Sequence, residues 1–384
     1  MSPRLIIDMR CLQGHHHADR SIGHHAIGHH ASCIICRAPS PFIGLVDPDL
    51  PDLPPHIADL AESLSPHANI ANIAPGTVLL NPSPLGLPEQ SYLAPLLCHP
   101  NLTKAALLHD FIPFDHQESY LTAPAARLKY FSAMTWLRHY DLFFPVSAAT
   151  DQRLKTLYGA VDSHVTGVAL PYWMHRITPQ EPRHILMVGN DEPRRNPESL
   201  LRACAGSAVL RKLRVVITGA YSAAAQARLR DLFPATFPGR VTEIEMRAFY
   251  ATAHCVVTPS PAAGFSLPVI EAAAAQTPAV VSDIPAHRAL IIDPALRFAP
   301  DDTDRLATIL ERLVQDKSYR ASVVAQQWPV WQPFSAAAVA AKVWSMLKPA
   351  RPALHHETKP RLNPPCPTTA TSPLAKSGLE ILEI

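Results

Sequence analysis

Short apolar runs alternate with amphipathic stretches along most of this 384-residue chain, and the alternation occurs twice. Such alternation is typical of a parallel sheet that is covered by helices. Because one hydrophobic core seldom organises so many residues, the two successive series favour two domains. The predicted strands are, in order, Leu5–Met9, Phe42–Val46, Thr77–Leu80, Ala105–His109, Leu142–Val146, Ile185–Val188, Arg214–Thr218, Cys255–Thr258, Ala279–Ser282 and Leu296–Phe298.

The predicted helices lie between and after these strands. Ser147, for example, precedes a helical pattern and is a residue type that often caps a helix N-terminus. We therefore expect an α/β protein with two Rossmann-like domains that face each other. Ligands would bind in the cleft between them, at the carboxyl ends of the strands. The predicted helices are Ala126–Tyr140, Ala148–Tyr158, Glu198–Cys204, Ala223–Leu232, Arg247–His254, Pro268–Ala275, Thr303–Gln315 and Phe334–Leu347.

The predicted domain limits follow the change from one series to the next. The first domain spans residues 1–165, a linker rich in proline, glycine and polar residues spans 166–183, and the second domain spans 184–333. An amphipathic helix at 334–347 and a proline-rich tail at 348–384 follow. Because the tail lacks periodic apolar residues, we expect it to be disordered.

Net charge, cysteine content and the apolar pattern restrict the partners and the cellular compartment that are expected for this protein. The formal net charge of +2 is too small to favour nucleic acid as a partner. Seven cysteines are scattered, and several lie in apolar runs, which favours reduced thiols over a disulfide framework. We find neither a signal-peptide pattern nor a stretch of about 18 apolar residues, so a cytoplasmic protein is expected. Peripheral contact with the inner membrane face stays open.

The stretch 258–271 is the most informative segment of the chain. A predicted strand ends there, a tight loop follows, and a helix begins near Pro268, a residue favoured in the first helical turn. The N–H groups of Ser266, Leu267 and Val269 would point away from the strand end. They would form an anion site suited to a nucleoside diphosphate.

The order of residue types in 258–271 closely resembles the signature of retaining glycosyltransferase family 4, the glycosyl transferases group 1. In that signature Glu, Gly, Phe, Gly or Ser, Leu, Pro and a second Glu recur, and the stretch 276–288 is similar to the family's next strand and loop. The resemblance implies the GT-B architecture, which is two facing Rossmann-like domains with an inter-domain cleft. It also implies that the donor is bound by Gly264, Phe265, Ser266 and Leu267 and by Glu271, whose carboxylate would hold the ribose and count among the catalytic residues.

The stretch 184–197 resembles the family's first strand in the nucleotide domain. Gly189 ends this strand, and Arg195-Asn196 occupies the Lys-Asn position that binds the donor diphosphate. Arginine keeps the positive charge and adds bidentate reach. Asn190 stands where many members have arginine. The alternative for the arginines is a solvated loop.

The stretch 107–113 is similar to the family's His-Asp-x-x-Pro motif. His109 ends a predicted strand where the acceptor domain would face the donor sugar, and the resemblance gives it a catalytic, sugar-positioning role. A strand-end histidine with a purely structural role is the alternative. Pro145-Val-Ser147 resembles the last strand of the acceptor domain, so the resemblance covers roughly residues 100–345, and weakly 1–25.

Two positions depart from the family pattern. Ala263 replaces the first Glu of the Glu-x7-Glu pair, which is expected to contact the transferred sugar. Loss of one charged hydrogen bond of about 1.5–3 kcal/mol would cost roughly 10- to 150-fold in binding or rate. In the amino-terminal loop, Ser21 replaces a glycine and His24 an arginine, while Gly23 remains and can let the backbone approach a ligand.

The histidines near the N-terminus invite a metal interpretation, which we do not favour. Zinc needs three or four ligands at fixed geometry. Cys33 and Cys36 have the Cys-x-x-Cys spacing, but they lie in an apolar run that is typical of a buried helix or strand. We therefore predict no metal. The histidines are His15, His16, His17, His24, His25, His29 and His30.

The function predicted from the resemblance is transfer of a hexose, with retention, from a nucleoside-diphosphate sugar to a glycan or lipid-linked saccharide in polysaccharide biosynthesis. GDP-mannose is the first donor expected, and no further cofactor is required, since arginine and a helix N-terminus can stabilise the leaving phosphate. The alternative is a catalytically impaired GT-B homologue that acts as a partner in a polysaccharide assembly complex. An epimerase or phosphorylase is less well supported, because we find no lysine suited to a pyridoxal Schiff base.

Overall fold

Twelve strands, six from each of the two series, form the sheets of the part of the chain that the structure describes. The computed structural model describes residues 5–13, 22–66, 68, 70, 73–86, 90–171, 173–174 and 177–347. The strands of the first sheet are β1 (Leu5–Asp8), β2 (Phe42–Leu45), β3 (Ser63–Ser65), β4 (Thr77–Asn81), β5 (Leu102–Leu108) and β6 (Leu142–Pro145). Those of the second are β7 (His184–Val188), β8 (Arg214–Thr218), β9 (Ala235–Gly239), β10 (Ala253–Thr258), β11 (Ala279–Ser282) and β12 (Arg297–Phe298).

Both sheets have the same strand order. The first runs β3-β2-β1-β4-β5-β6 and the second β12-β11-β10-β7-β8-β9, and all neighbouring strands pair in parallel. Counted within each set of six, both orders are 3-2-1-4-5-6, that of a doubly wound Rossmann sheet. The order reverses between β7 and β10 in the second sheet. The carboxyl ends of these two strands are therefore where a ligand is expected.

Helices cover both sheets. In the first half they are α1 (Ile22–Ile35), α2 (Pro55–Ala58), α3 (Ala94–Leu97), α4 (Ile112–Asp115), α5 (Gln117–Tyr120), α6 (Pro124–Trp136) and α7 (Ala148–Tyr158). In the second half they are α8 (Pro197–Gly206), α9 (Ala223–Arg230), α10 (Glu243–Ala251), α11 (Leu267–Ala274), α12 (Pro285–Arg288), α13 (Thr303–Gln315), α14 (Lys317–Gln327) and α15 (Ala336–Met346). Short 3₁₀ turns occupy Arg10–Leu12, Gln90–Leu93, Leu137–His139, Pro193–Arg195, Leu210–Lys212, Pro294–Leu296 and Trp328–Phe334.

Buried apolar residues lie on both faces of the sheets, although edge strand β3 is largely exposed. In β1, Leu5 and Ile7 join one core and Ile6 joins the core on the opposite face. This division follows from the two-residue period of a strand. The last helix, α15, returns to the first sheet, where Trp344 is buried in the core and its Nε1 donates to the Ile34 carbonyl at 3.0 Å.

The predicted elements and the observed ones differ in specific places. The predicted helix Arg247–His254 is wrong at both ends: α10 begins at Glu243 behind a Thr242–Glu245 capping box, and His254 belongs to β10. Strand β9 was not predicted, because it is an edge strand that contains Pro238, a residue that usually argues against a strand. The predicted cap of α7 is confirmed, since Ser147 Oγ accepts from Thr150 N at 3.1 Å.

Some predictions lie outside the described residues. They are the segment 14–21, which contains Ser21 and three of the histidines, and the proline-rich tail from 348 onward. Gly23 lies in α1, within the first helical turn rather than in a loop. Its predicted ligand role and the predicted domain limits stay predictions.

A buried ion pair stabilises the first sheet at the end of β1. Asp8 and Arg10 are 3% and 1% exposed, and the Arg10 guanidinium donates through Nε and Nη2 to the two carboxylate oxygens at 2.9 Å each. Asp8→Ala would remove the carboxylate that pairs with this buried cation, which costs about 3–5 kcal/mol. Urea unfolding should show this loss, whereas Arg288→Ala, which breaks an exposed pair, should stay within about 1 kcal/mol. Equal effects of the two variants would contradict the prediction.

Candidate functional site

The loop after β10 meets the end of β5, so the two sheets present their strand ends to each other. Gly264 is the contact: a Cβ placed on it would lie 2.3 Å from the His109 carbonyl oxygen and 2.5 Å from the Asp110 Cβ. Thr150 Oγ1 lies 3.1 Å from the His109 carbonyl oxygen and 3.5 Å from the Gly264 carbonyl oxygen. The predicted residues His109 and Gly264 are therefore brought together.

The N-terminus of α11 lies directly behind this contact. Ser266 is its N-cap residue, and its side chain is 2% exposed and makes no capping hydrogen bond. The Ser266 Oγ has no hydrogen-bond partner among the described residues. Val269 N donates to the Ser266 carbonyl at 3.2 Å, so its predicted role as a free anion donor is wrong. Because Pro268 has no N–H, the Leu267 N–H and the Ser266 hydroxyl remain as the groups of this turn that could bind an anion.

Arg195 lies in the 3₁₀ turn Pro193–Arg195 that follows β7, the strand that pairs with β10. Its Nε donates to Asn190 Oδ1 at 3.2 Å and lies 3.8 Å from Glu192 Oε2. Among the described residues no further side chain accepts from its guanidinium. Burial, together with the neighbouring Arg194, lowers the pKa of Arg195 to about 10. The guanidinium is thus charged at neutral pH, short of compensating negative charge and supplied with unused donors.

Glu192 orients both arginines of this loop. Its Oε1 accepts from Asn190 Nδ2 at 3.1 Å, and its Oε2 accepts from Arg194 Nε at 2.9 Å. Although burial would raise it, the two arginines hold the pKa of Glu192 below its usual value. The loop is therefore an ordered charge network, and the alternative of a solvated arginine pair is wrong.

Two glycines let the backbone segments around Arg195 approach closely. Gly219, after β8, has φ +107°, and a Cβ on it would lie 1.6 Å from the Gly189 carbonyl oxygen. A Cβ on Gly189 would lie 3.3 Å from the Tyr221 hydroxyl and 3.6 Å from Arg195 Cγ. Gly189 therefore lies against Tyr221 and Arg195, and its predicted contact with the donor stays a prediction.

Asn196 has a structural role in this arrangement. It has the left-handed backbone conformation, with φ 53°. Its Nδ2 donates to the carbonyls of Pro259 and Pro300 at 3.2 and 2.9 Å, which ties the loop after β7 to the loop after β10. Its predicted contact with the donor stays a prediction, but the amide hydrogens are already used.

Glu271 is buried in the first turns of α11 and shares a short hydrogen bond. Tyr250 of α10 donates its hydroxyl to Glu271 Oε2 at 2.6 Å. Burial raises the pKa of Glu271 to about 7. The carboxyl group can therefore change protonation state near neutrality. Tyr250 was missed in the sequence, because a position 21 residues before Glu271 follows no local spacing rule.

His109 stacks edge-to-face on His30 of α1, with ring centroids 5.5 Å apart. His30 is fully buried, and its Nδ1 accepts from Ala169 N in the connection to the second sheet at 3.1 Å. Burial, then His109, lowers the pKa of His30 well below its usual value. His30 is therefore a neutral imidazole whose tautomer carries its proton on Nε2.

Phe265 and Ala263 flank the contact glycine. Phe265 packs against the Phe334 ring, with centroids 5.2 Å apart, so its ring serves packing within the second domain. Ala263 is half-buried and supplies no carboxylate. No group of three or more metal-ligating side chains occurs among the described residues. Within the same residues, no helix is long and apolar enough to cross a membrane.

Two parallel six-stranded sheets whose loops meet at their strand ends define the GT-B architecture, and solved structures of this kind align with the chain. Sucrose-phosphate synthase from Thermosynechococcus elongatus matches with a TM-score of 0.67 at 15% identity, covering 90% of this chain and 98% of that one. HepE of Anabaena in complex with UDP matches with a TM-score of 0.64 at 14% identity, covering 90% and 99%. At these identities the likeness shows the fold, and the predicted GT-B fold is confirmed.

Residues 182–316 match the model of the family named Glycosyl transferases group 1. The chain is also 36% identical over 80 residues to the O-antigen chain mannosyltransferase RfbU of Salmonella typhimurium. That match covers 21% of this chain and spans only 23% of the length of RfbU. The match confirms, over residues 182–316, the family resemblance recognised from the motifs.

Proposed function

We propose that this protein is a glycosyltransferase that moves a hexose from a nucleoside-diphosphate sugar to a saccharide acceptor. Two observations carry the proposal: Arg195 is a buried cation with unused donors, and the Ser266 hydroxyl at the N-terminus of α11 has no partner among the described residues. Both lie at the switch point of the second sheet, within the segment that matches the family model. An anion with two phosphates would satisfy both groups.

The reaction that fits these groups replaces one bond at the anomeric carbon of the sugar. The bond from that carbon to the diphosphate oxygen breaks, and a bond to the acceptor hydroxyl oxygen forms. The acceptor proton passes to the leaving diphosphate, which carries the negative charge. Arg195 and the helix N-terminus stabilise that charge as it develops. Proton transfer on the face that the diphosphate leaves would give retention, which stays part of the proposal.

The donor and acceptor are proposed from the relatives. RfbU is named an O-antigen chain mannosyltransferase, and HepE was solved with UDP. We therefore propose GDP-mannose first and UDP-sugars second, with a glycan or lipid-linked saccharide as the acceptor. His109 would position the sugar, and Glu271 would accept hydrogen bonds from the ribose hydroxyls.

A donor screen on the purified full chain tests the proposal. GDP, UDP and their sugars are each titrated in a thermal-shift assay, since a ligand that binds the native state raises the melting temperature according to RT ln(1 + [L]/Kd). Stabilisation by a nucleoside diphosphate, followed by sugar release or transfer, is the expected result. Lack of stabilisation by every nucleotide would overturn the donor site.

Ala263 favours one second candidate, a homologue that binds nucleotide sugar without turnover. In that case nucleotides would stabilise the protein, no donor would be consumed, and Ala263→Glu would restore turnover. Turnover by the unmodified chain would exclude this candidate.

The raised pKa of Glu271 predicts that nucleotide affinity rises with pH. Below about pH 7 the free protein holds Glu271 protonated, and a protonated carboxyl accepts two ribose hydrogen bonds less well than a carboxylate. Binding therefore releases a proton, so Kd should fall by up to about tenfold per pH unit from pH 5 and level off above pH 7. Calorimetry in two buffers of different ionisation enthalpy measures this proton release directly.

The matched variants for this prediction differ in the titrating group. Glu271→Gln should bind weakly and without pH dependence, and Tyr250→Phe should move the pH midpoint upward, because the carboxylate loses its hydrogen-bond donor. Glu243→Gln, at an exposed site of α10, is the control. The stability of the ligand-free protein should depend on pH in the opposite direction. As pH rises from about 4.5 to 7, Glu271 ionises only in the unfolded state, so roughly 3 kcal/mol of the free energy of unfolding is lost. A Kd independent of pH in the wild type would contradict the assignment.

A further inference from the structure

Asp110, the residue after His109, lies against the loop after β10. In this loop Ala263 stands where the family signature has a glutamate. Its Oδ2 lies 3.2 Å from the position of a Cβ on Gly264, the residue next to Ala263. Its Oδ1 accepts from Ile112 N at 3.0 Å, at the start of α4. One oxygen thus fixes the side chain, while the other faces the loop of the second domain.

The second arginine of the β7 loop, Arg194, interacts electrostatically with this carboxyl group. Although burial opposes the charge, Glu192 and then Asp110 raise the pKa of the Arg194 guanidinium. Burial raises the pKa of Asp110 itself, and Arg194 counteracts this effect. Asp110 therefore contacts the loop after β10 and lies in the electrostatic field of the loop after β7.

No described side chain donates to Asp110 Oδ2. Asp110 is half-buried, and hydroxyl groups of a bound molecule are suitable donors to a carboxylate oxygen that accepts from no side chain. The oxygen lies within the part of the cleft where the Gly264 loop would face the transferred sugar. The chain therefore has a carboxylate at this place, although it comes from the first domain rather than from position 263.

We propose that the Asp110 carboxylate accepts hydrogen bonds from hydroxyls of the transferred sugar, and so takes the role that the family signature gives to the residue at position 263. The inference rests on the proposed transferase function. It makes Asp110 a catalytic residue that contacts the donor, and it explains how turnover can persist with alanine at position 263.

The test compares Asp110→Asn with the double variant Asp110→Asn/Ala263→Glu. Asparagine keeps an oxygen for Ile112 N but loses the charge, so the start of α4 should persist. Turnover of the sugar donor should fall by about 10- to 150-fold, whereas the Kd for the nucleoside diphosphate alone should stay within about twofold. Glu118→Gln, an exposed acid of α5, is the control and should retain full turnover.

The double variant decides the role of the carboxylate. Recovery of most of the lost turnover supports the proposal, since a carboxylate is again present beside the sugar. Full activity of Asp110→Asn, or an equal loss in the single and double variants, overturns it. A large gain from Ala263→Glu in the wild-type background also overturns it, because the role would then have been vacant. If the wild-type protein binds no nucleotide, the proposed function itself fails. The nucleotide titration of the wild type, without any variant, shows this outcome.

Discussion

Gly264→Ala is expected to lower transfer by about 100-fold or more while leaving nucleotide binding largely intact. The added Cβ would lie 2.3 Å from a backbone oxygen of the first domain, well inside van der Waals contact. A backbone carbonyl cannot rotate away as a side chain can, so the second-domain loop must move back from His109. A displacement of about 1 Å between reacting groups is enough to cost about 100-fold in rate.

Two measurements distinguish a displaced Gly264 loop from a damaged second domain. Turnover with excess donor and acceptor reports the contact between the Gly264 loop and His109, and the affinity for the nucleoside diphosphate reports the second domain alone. Gly206→Ala is the matched control, because a Cβ on Gly206 meets no atom within 4 Å. Turnover of Gly264→Ala that equals that of the control would show that the loop contact with His109 is not needed for transfer.

Arg195→Gln is expected to weaken binding of the nucleoside diphosphate by about 10- to 150-fold. The variant removes a charge-assisted contact worth about 1.5–3 kcal/mol. The empty protein should lose no stability, because burial lowers the pKa of Arg195 and so disfavours the charge in the native state. The signature is thus a loss of ligand-induced stabilisation without a lower melting temperature of the ligand-free protein.

Arg202→Gln provides the comparison for Arg195, since Arg202 is an exposed arginine on the neighbouring helix α8. Its nucleotide affinity should match that of the wild type. Titration calorimetry with GDP and UDP measures both variants under the same salt, which is necessary because screening weakens charge–phosphate attraction. Unchanged affinity in Arg195→Gln would remove Arg195 from the donor site.

Local features of the sequence identified much of the second domain. The strand ending at Thr258, the glycine loop and the proline-led helix α11 are all contiguous in the chain, so residue order alone predicts the strand–loop–helix unit. The predicted helices at Ala148–Tyr158 and Thr303–Gln315 match the observed bounds for the same reason, since caps and periodicity are local signals. Edge strand β9 was missed because its pairing depends on β8 rather than on its own residues.

The contacts that define the chemistry could not be predicted in this way. The bond from Tyr250 to Glu271 joins two helices, and the approach of Asp110 to Gly264 joins two domains. The Asn196 amide, which is predicted to contact the donor, donates to two carbonyls of distant loops. Each of these contacts depends on how sheets and helices pack, and packing is set by many weak interactions at once.

The sequence by itself determined most strands of both sheets, the GT-B family motifs and the absence of a carboxylate at position 263. Its local patterns suffice there because periodicity, caps and turns act over a few residues. Only the tertiary structure decided which carboxylate lies beside the loop at Gly264, which arginine has unused donors and which glutamate titrates near neutrality. Those properties arise from burial and from neighbours that are distant in the chain, and they exist only once the two domains have packed against each other.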